Sequence, residues 1–86
     1  MNPLISVIIP CYNVATYLDA AVDSVLSQTY TNWEMILVDN NSTDGTRTRM
    51  EAHAARHPDR IVCLSETRQG VSAARNKGMT IARGQW

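Results

Sequence analysis

Asp39 is the residue whose setting says most about chemistry. It follows directly on Met35-Ile36-Leu37-Val38, so a carboxylate stands at the end of an apolar run that burial will hold rigid. Placed there it could accept a hydrogen bond from a ligand N–H, such as the imide of uracil, or ligate a metal. It could equally cap the amides of the loop that follows. That loop, Asn40-Asn41-Ser42-Thr43-Asp44-Gly45, is dense in turn formers and helix-capping residues. It is not a calcium loop of the EF-hand type, because Asp44 takes the place of the required Gly and Met50 that of the closing Glu. A second candidate is Pro10-Cys11-Tyr12-Asn13, which closes an earlier apolar run. Its ring and amide could stack on and hydrogen-bond a planar base. As plain structure, Pro10 is a strand stop and Asn13 a helix cap, and for Tyr12 the two readings weigh the same. Neither G-x-G-x-x-G nor G-x-x-x-x-G-K-[ST] occurs, so no glycine-rich turn cradles a phosphate. Cys11 and Cys63 fall in or beside strand-like runs without partners at zinc spacing. His53 and His57 lack the intervening Glu of H-E-x-x-H and read as solvated or capping residues. No metal set is assigned.

These residues need elements to hold them. Leu4 to Ile9 is a β-rich apolar run halted by Pro10, and near-continuous hydrophobicity implies a strand covered on both faces. A helix from about Ala15 to Gln28 places Leu18, Val22, Val25 and Leu26 on one face, with Thr16 and Asp19 as a capping pair. Trp33 to Val38 is a second strand. Thr46 to Arg56 is a weaker helix ended by Pro58, with Met50 and alanines as its apolar content, and so expected on the outside. Ile61 to Leu64 is a third strand. After the loop Glu66 to Gly70, a helix from about Val71 to Arg83 carries a narrow apolar face of Val71, Ala74, Gly78, Ile81 and Ala82, with Gly84 as its stop. The order β-α-β-α-β-α predicts an α/β fold, a three-layer Rossmann-like parallel sheet with strand order 3-2-1. Ligands of such sheets bind beyond the carboxyl ends of the strands. The segments meeting there are 10–13, 39–44 and 65–70.

The chain has 86 residues, 44% hydrophobic and 19% charged, with 4 Gly and 3 Pro. That composition excludes a disordered tail, a collagen-like repeat and a disulfide scaffold. No apolar run approaches a membrane span, and Met1-Asn2-Pro3 lacks a basic signal-peptide start. A cytoplasmic protein is expected. The net charge of zero hides a division: residues 1–45 hold five acidic side chains and no Lys or Arg, while residues 46–86 hold all 8 basic ones against Glu51, Asp59 and Glu66. Two halves that attract one another explain this better than a nucleic-acid site, because a neutral chain lacks the necessary field.

Several segments, in order, carry a family resemblance: Ser6 to Asn13, Tyr17-Leu18, Ser24 to Tyr30, Trp33-Glu34, Val38 to Thr46, and Gly70 to Gly78. Together they resemble the start of family 2 glycosyltransferases of the GT-A fold, over essentially the whole chain. The resemblance implies the nucleotide-diphosphate-sugar-binding half of an inverting, metal-dependent transferase that passes a sugar to a glycan, lipid or other acceptor. It implies that Pro10 and Tyr12, with Asn13, form the nucleoside-side loop and that Asp39 contacts uracil. Asn41 lies in the adjoining loop, Arg75 and Asn76 match a segment beside the nucleotide, and Arg68 lies in the bordering loop. Where the family often has Asp-Asp-Gly-Ser, Asn40 and Asn41 replace the second Asp and the Gly.

In the family, Gly84-Gln85-Trp86 would lead to a further strand and then to the Asp-x-Asp motif that holds Mn²⁺ or Mg²⁺, with the catalytic base beyond. The sequence stops before them. Residues 1–86 therefore read as a truncated GT-A domain, inactive alone, binding a UDP-linked sugar but neither a metal of its own nor nucleic acid. The exposed first strand would invite self-association as a homodimer. A stand-alone βα module that binds a nucleotide or a protein without catalysis is the alternative.

Overall fold

The computed structural model describes residues 4–28 and 32–84. Parts of the motifs above, Thr29-Tyr30 and Gln85-Trp86, lie outside the described residues, as does the start at 1–3. The elements alternate as expected: β1 (Ile5–Cys11), α1 (Ala15–Leu26), β2 (Trp33–Asp39), α2 (Thr46–Arg56), β3 (Ile61–Ser65) and α3 (Val71–Met79). The sheet is parallel, with adjacency β1-β2-β3, which is the order 3-2-1 read from the other side.

The central strand shows why the chain folds this way. Every residue of β2 is buried, as a strand covered on both faces must be. Trp33, Met35 and Leu37 pack in one layer with Leu18 and Val22 of α1 and Met50 of α2. Ile36 and Val38 pack in the other with Ala74 of α3. The backbone of α3 comes close to the sheet at Gly78, where an added Cβ would stand 2.5 Å from Ile8 Cγ2. A glycine there is a packing requirement.

Some expectations needed correction. β1 runs through Pro10 to Cys11, because among the described residues it is an edge strand, where a missing N–H is tolerated. α1 ends at Leu26 rather than Gln28, and α3 at Met79 rather than Arg83. Val71 and Ile81 are exposed, so the seat of α3 is narrower than its apolar pattern. The Thr16–Asp19 cap does not form: Val14 is the N-cap residue, with no side-chain cap of its own. α2 does not lie wholly outside, since Thr46, Met50 and His53 are buried. His53 is not solvated; its Nε2 meets Asp19 Oδ1 at 2.7 Å.

The divided charge works as an attraction between the halves. Arg49 pairs with Asp19 at 2.6 Å and Arg83 with Glu34 at 2.9 Å, each joining the acidic first half to the basic second.

Candidate functional site

Parallel pairing in register brings three strand ends level. Cys11 lies opposite Asp39, and Asp39 opposite Ser65. The chain leaves the sheet at one edge three times, and the loops that result are laced together. Asn40 N–H donates to Cys11 O (2.8 Å), Asn13 N–H to Ser42 Oγ (3.0 Å) and Thr43 N–H to Asn13 Oδ1 (2.7 Å). Asn13 reaches this arrangement at φ 51°, a left-handed conformation that Asn tolerates better than most residues.

The free amides at the start of α1 are satisfied from a distance. Val14 N–H donates to Thr46 Oγ1 at 2.8 Å and Ala15 N–H to Asp44 Oδ2 at 3.3 Å. Asp44 also accepts from Thr46 Oγ1 (2.6 Å) and Thr46 N–H (2.9 Å), so one carboxylate serves the start of two helices. The Thr46 hydroxyl, then its amide, hold the Asp44 carboxyl below the ordinary carboxylate range.

Asp39 is 8% exposed. Its Oδ1 accepts from Ser42 N–H at 3.3 Å, and Arg47 Nη1 lies 3.8 Å from Oδ2 while donating to Ser65 Oγ. The loop-capping role thus exists, and it leaves the carboxylate with acceptor capacity, since an ionised carboxyl offers about four lone-pair positions. Beside it, burial and then the charge of Asp39 push the Cys11 thiol up to about 12. Cys11 is therefore a protonated core residue and no nucleophile. Cys11 and Cys63 are both free thiols.

Of the residues singled out in the sequence, Pro10, Tyr12, Asn13, Asp39, Asn41 and Arg68 gather at this edge. Tyr12 is 52% exposed, available to pack on a planar group. Asn41, at φ 64°, donates to Thr67 O and Gln69 Oε1, each at 3.0 Å. Arg68 is exposed and pairs with Glu66 at 3.3 Å. The Arg68 amide and then its guanidinium hold the Glu66 carboxyl below its ordinary range. Arg75 and Asn76 are exposed on α3, and no hydrogen bond or ion pair joins them to the other six among the described residues. Sequence reasoning placed Asn40 and Asp44 in the loop at this edge without giving them a role, and it missed Thr46 and Arg47; their turn and capping types were visible, their partners were not.

A surface depression between α1 and α2, lined by Asp19, Asp23, Arg49, Ala52, His53 and Arg56, lies away from these loops. Among the described residues no three His, Cys, Asp or Glu side chains form a metal-binding set. Among the described residues no helix is long and apolar enough to cross a membrane.

The family described as Glycosyl transferase family 2 matches over residues 6–86. The chain belongs to that family. It is 42% identical over 85 residues to a Bacillus subtilis glycosyltransferase assigned to teichuronic acid biosynthesis, covering 99% of this chain and 34% of the relative. It is 40% identical over 84 residues to a PGL/p-HBAD biosynthesis glycosyltransferase of Mycobacterium bovis, covering 98% and 33%. The chain thus spans about a third of the length of these curated relatives. Among solved structures it is similar to a mannosyltransferase from Pyrobaculum calidifontis in complex with GDP-Man and Mn²⁺. That likeness has a TM-score of 0.88 at 34% identity, over 98% of this chain and 26% of the other. The family 2 chain therefore has the Rossmann-like sheet of a GT-A glycosyltransferase.

Proposed function

We propose that this family 2 chain is the nucleotide-diphosphate-sugar-binding portion of an inverting, hexosyl-transferring enzyme that delivers its sugar to a glycan, lipid or other acceptor. The observation that carries the reading is Asp39, a buried carboxylate with unspent acceptor capacity, level with the ends of both neighbouring strands. In this reading Asp39 accepts the imide N–H of uracil, so the donor is UDP-linked. Tyr12 packs near the base, and Pro10 and Asn13 shape the turn beneath it. Asn41, Arg68, Arg75 and Asn76 border the rest of the donor, with the cationic pair suited to its diphosphate. The solved relative's GDP-Man supports a nucleotide-sugar partner in general.

The divalent ion implied by the fold does not find its ligands here. Asp44 is committed to Thr46 and Ala15, Asp39 faces Arg47, and among the described residues no third ligand joins them. In this reading residues 1–86 bind the nucleotide and contribute neither a metal-ligand set nor a catalytic base. We place the reaction in the cytoplasm, in polysaccharide biosynthesis, with self-association as a homodimer through β1.

Calorimetric titration of the full-length protein with UDP and GDP tests the reading. Asp39→Ala should weaken UDP binding by about 1.5–3 kcal/mol, the scale of a hydrogen bond to a charged group. Unchanged UDP affinity in that variant would sink the role given to Asp39.

A further inference from the structure

Asn40 is 3% exposed, and all of its side-chain hydrogen-bonding groups are spent. Nδ2 donates to the carbonyls of Glu66 and Arg68, both at 2.8 Å, and Oδ1 accepts from Gly70 N–H at 2.8 Å. Two donors and one acceptor on one short side chain is what an amide offers and a carboxylate does not. The geometry explains the need. After Glu66 N–H makes the last ladder bond to Asp39 O, the chain leaves the sheet and its carbonyls lose their strand partner. Asn40 takes the carbonyls at 66 and 68, and Asn41 takes the one at 67. Gly70 then starts α3 at φ 124°, a conformation open to glycine, with its N–H fixed by Asn40.

We propose that Asn40 is a positioning residue for donor binding: acting through the Glu66–Gly70 loop, it holds Arg68 and the start of α3 beside Asp39. Buried and fully bonded, it does not touch the ligand. It sets the place of groups that do. This rests on the nucleotide-binding reading above, with Arg68 presented by the loop and Arg75 and Asn76 carried on α3.

A purely structural Asn40 would behave like Glu34, a buried polar residue bonded to Ser6 and Arg83. The experiment therefore compares four full-length proteins: wild type, Asn40→Ala, Asn40→Asp and Glu34→Gln. Each is titrated with UDP and with GDP, unfolded in urea, and followed by amide hydrogen exchange at Gly70. Asn40→Ala should bind UDP about tenfold or more weakly, the scale of one to two lost hydrogen bonds, and Gly70 should exchange faster. Asn40→Asp keeps an acceptor for Gly70 but loses both donors, so affinity should fall while Gly70 stays protected. It also serves if Asn40→Ala does not fold. Glu34→Gln should lose stability and keep wild-type affinity. A folded Asn40 variant with wild-type affinity overturns the positioning role alone. So does a Glu34→Gln protein that loses as much affinity as it loses stability. Wild-type protein that binds neither nucleotide sinks the functional reading, and this inference with it.

Discussion

The two ends of the sheet solve the same problem in opposite ways. At the amino end, Glu34 sits 4% exposed on the central strand. Its carboxylate accepts from Ser6 Oγ (2.5 Å), Arg83 N–H (2.7 Å) and Arg83 Nε (2.9 Å), while Ser6 Oγ accepts from Gly84 N–H at 2.9 Å. One buried charge anchors the chain after α3 to the start of the sheet. At the carboxyl end the connections are many, made by Asn13, Asn40, Asn41, Ser42 and Thr46 together with the carboxylates of Asp39, Asp44 and Glu66. One buried charge ties two segments together; a lacework of many side chains holds several loops level and leaves Tyr12 and Arg68 exposed. The anchored end lies opposite the carboxyl end, where parallel sheets bind their ligands.

Removing the anchor should have the largest effect on stability. Glu34→Ala strips partners from Ser6 and Arg83 and leaves a void, and should cost about 2–4 kcal/mol in urea unfolding. Because the lesion lies at the far end from Asp39, nucleotide affinity should not follow; a parallel loss of affinity would break the division between the two ends. At the carboxyl end, Thr46→Val is nearly isosteric but leaves the Val14 amide without its acceptor. The expected cost is about 1–2 kcal/mol, measured the same way, and a neutral result would show that water replaces the hydroxyl there.

The smallest effect is on the acid limb. Burial of Glu34 works against its charge, but the Ser6 hydroxyl and the Arg83 amide and guanidinium outweigh it and hold the carboxyl below its ordinary value. A depressed folded-state value means that the contribution is complete above the unfolded value, about pH 4.3, and is lost as pH falls through the folded one. Glu34→Gln should therefore lose stability less steeply below about pH 4.3 than wild type does, in urea titrations at successive pH values. An unchanged slope would assign acid sensitivity instead to Asp19, held low first by its hydrogen bond from His53, or to Asp44 and Glu66 at the other end.

Much of the fold was legible in the chain itself. Apolar runs and turn clusters located six elements in order, and right-handed crossover geometry turned that order into the observed sheet. Asp39, Asn41 and Tyr12 could be placed at the carboxyl edge of the sheet because strand ends and loops are local features. The misjudged details share one trait. The caps of α1 come from Asp44 and Thr46, the partner of His53 is Asp19, and Asn40 bonds to residues 66, 68 and 70.

These pairings join residues 26 to 34 positions apart, and Glu34 reaches 49 positions to Arg83. Hydrophobic periodicity carries the elements because each strand or helix buries its own repeating face, whatever its neighbours are. Polar partnerships between loops have no such period. A side-chain amide or hydroxyl offers the same donors and acceptors in any setting, and which groups it meets depends on how the strand ends are brought level. Packing in register put Cys11, Asp39 and Ser65 side by side, and only then did Asn40 have carbonyls to hold and α1 a cap.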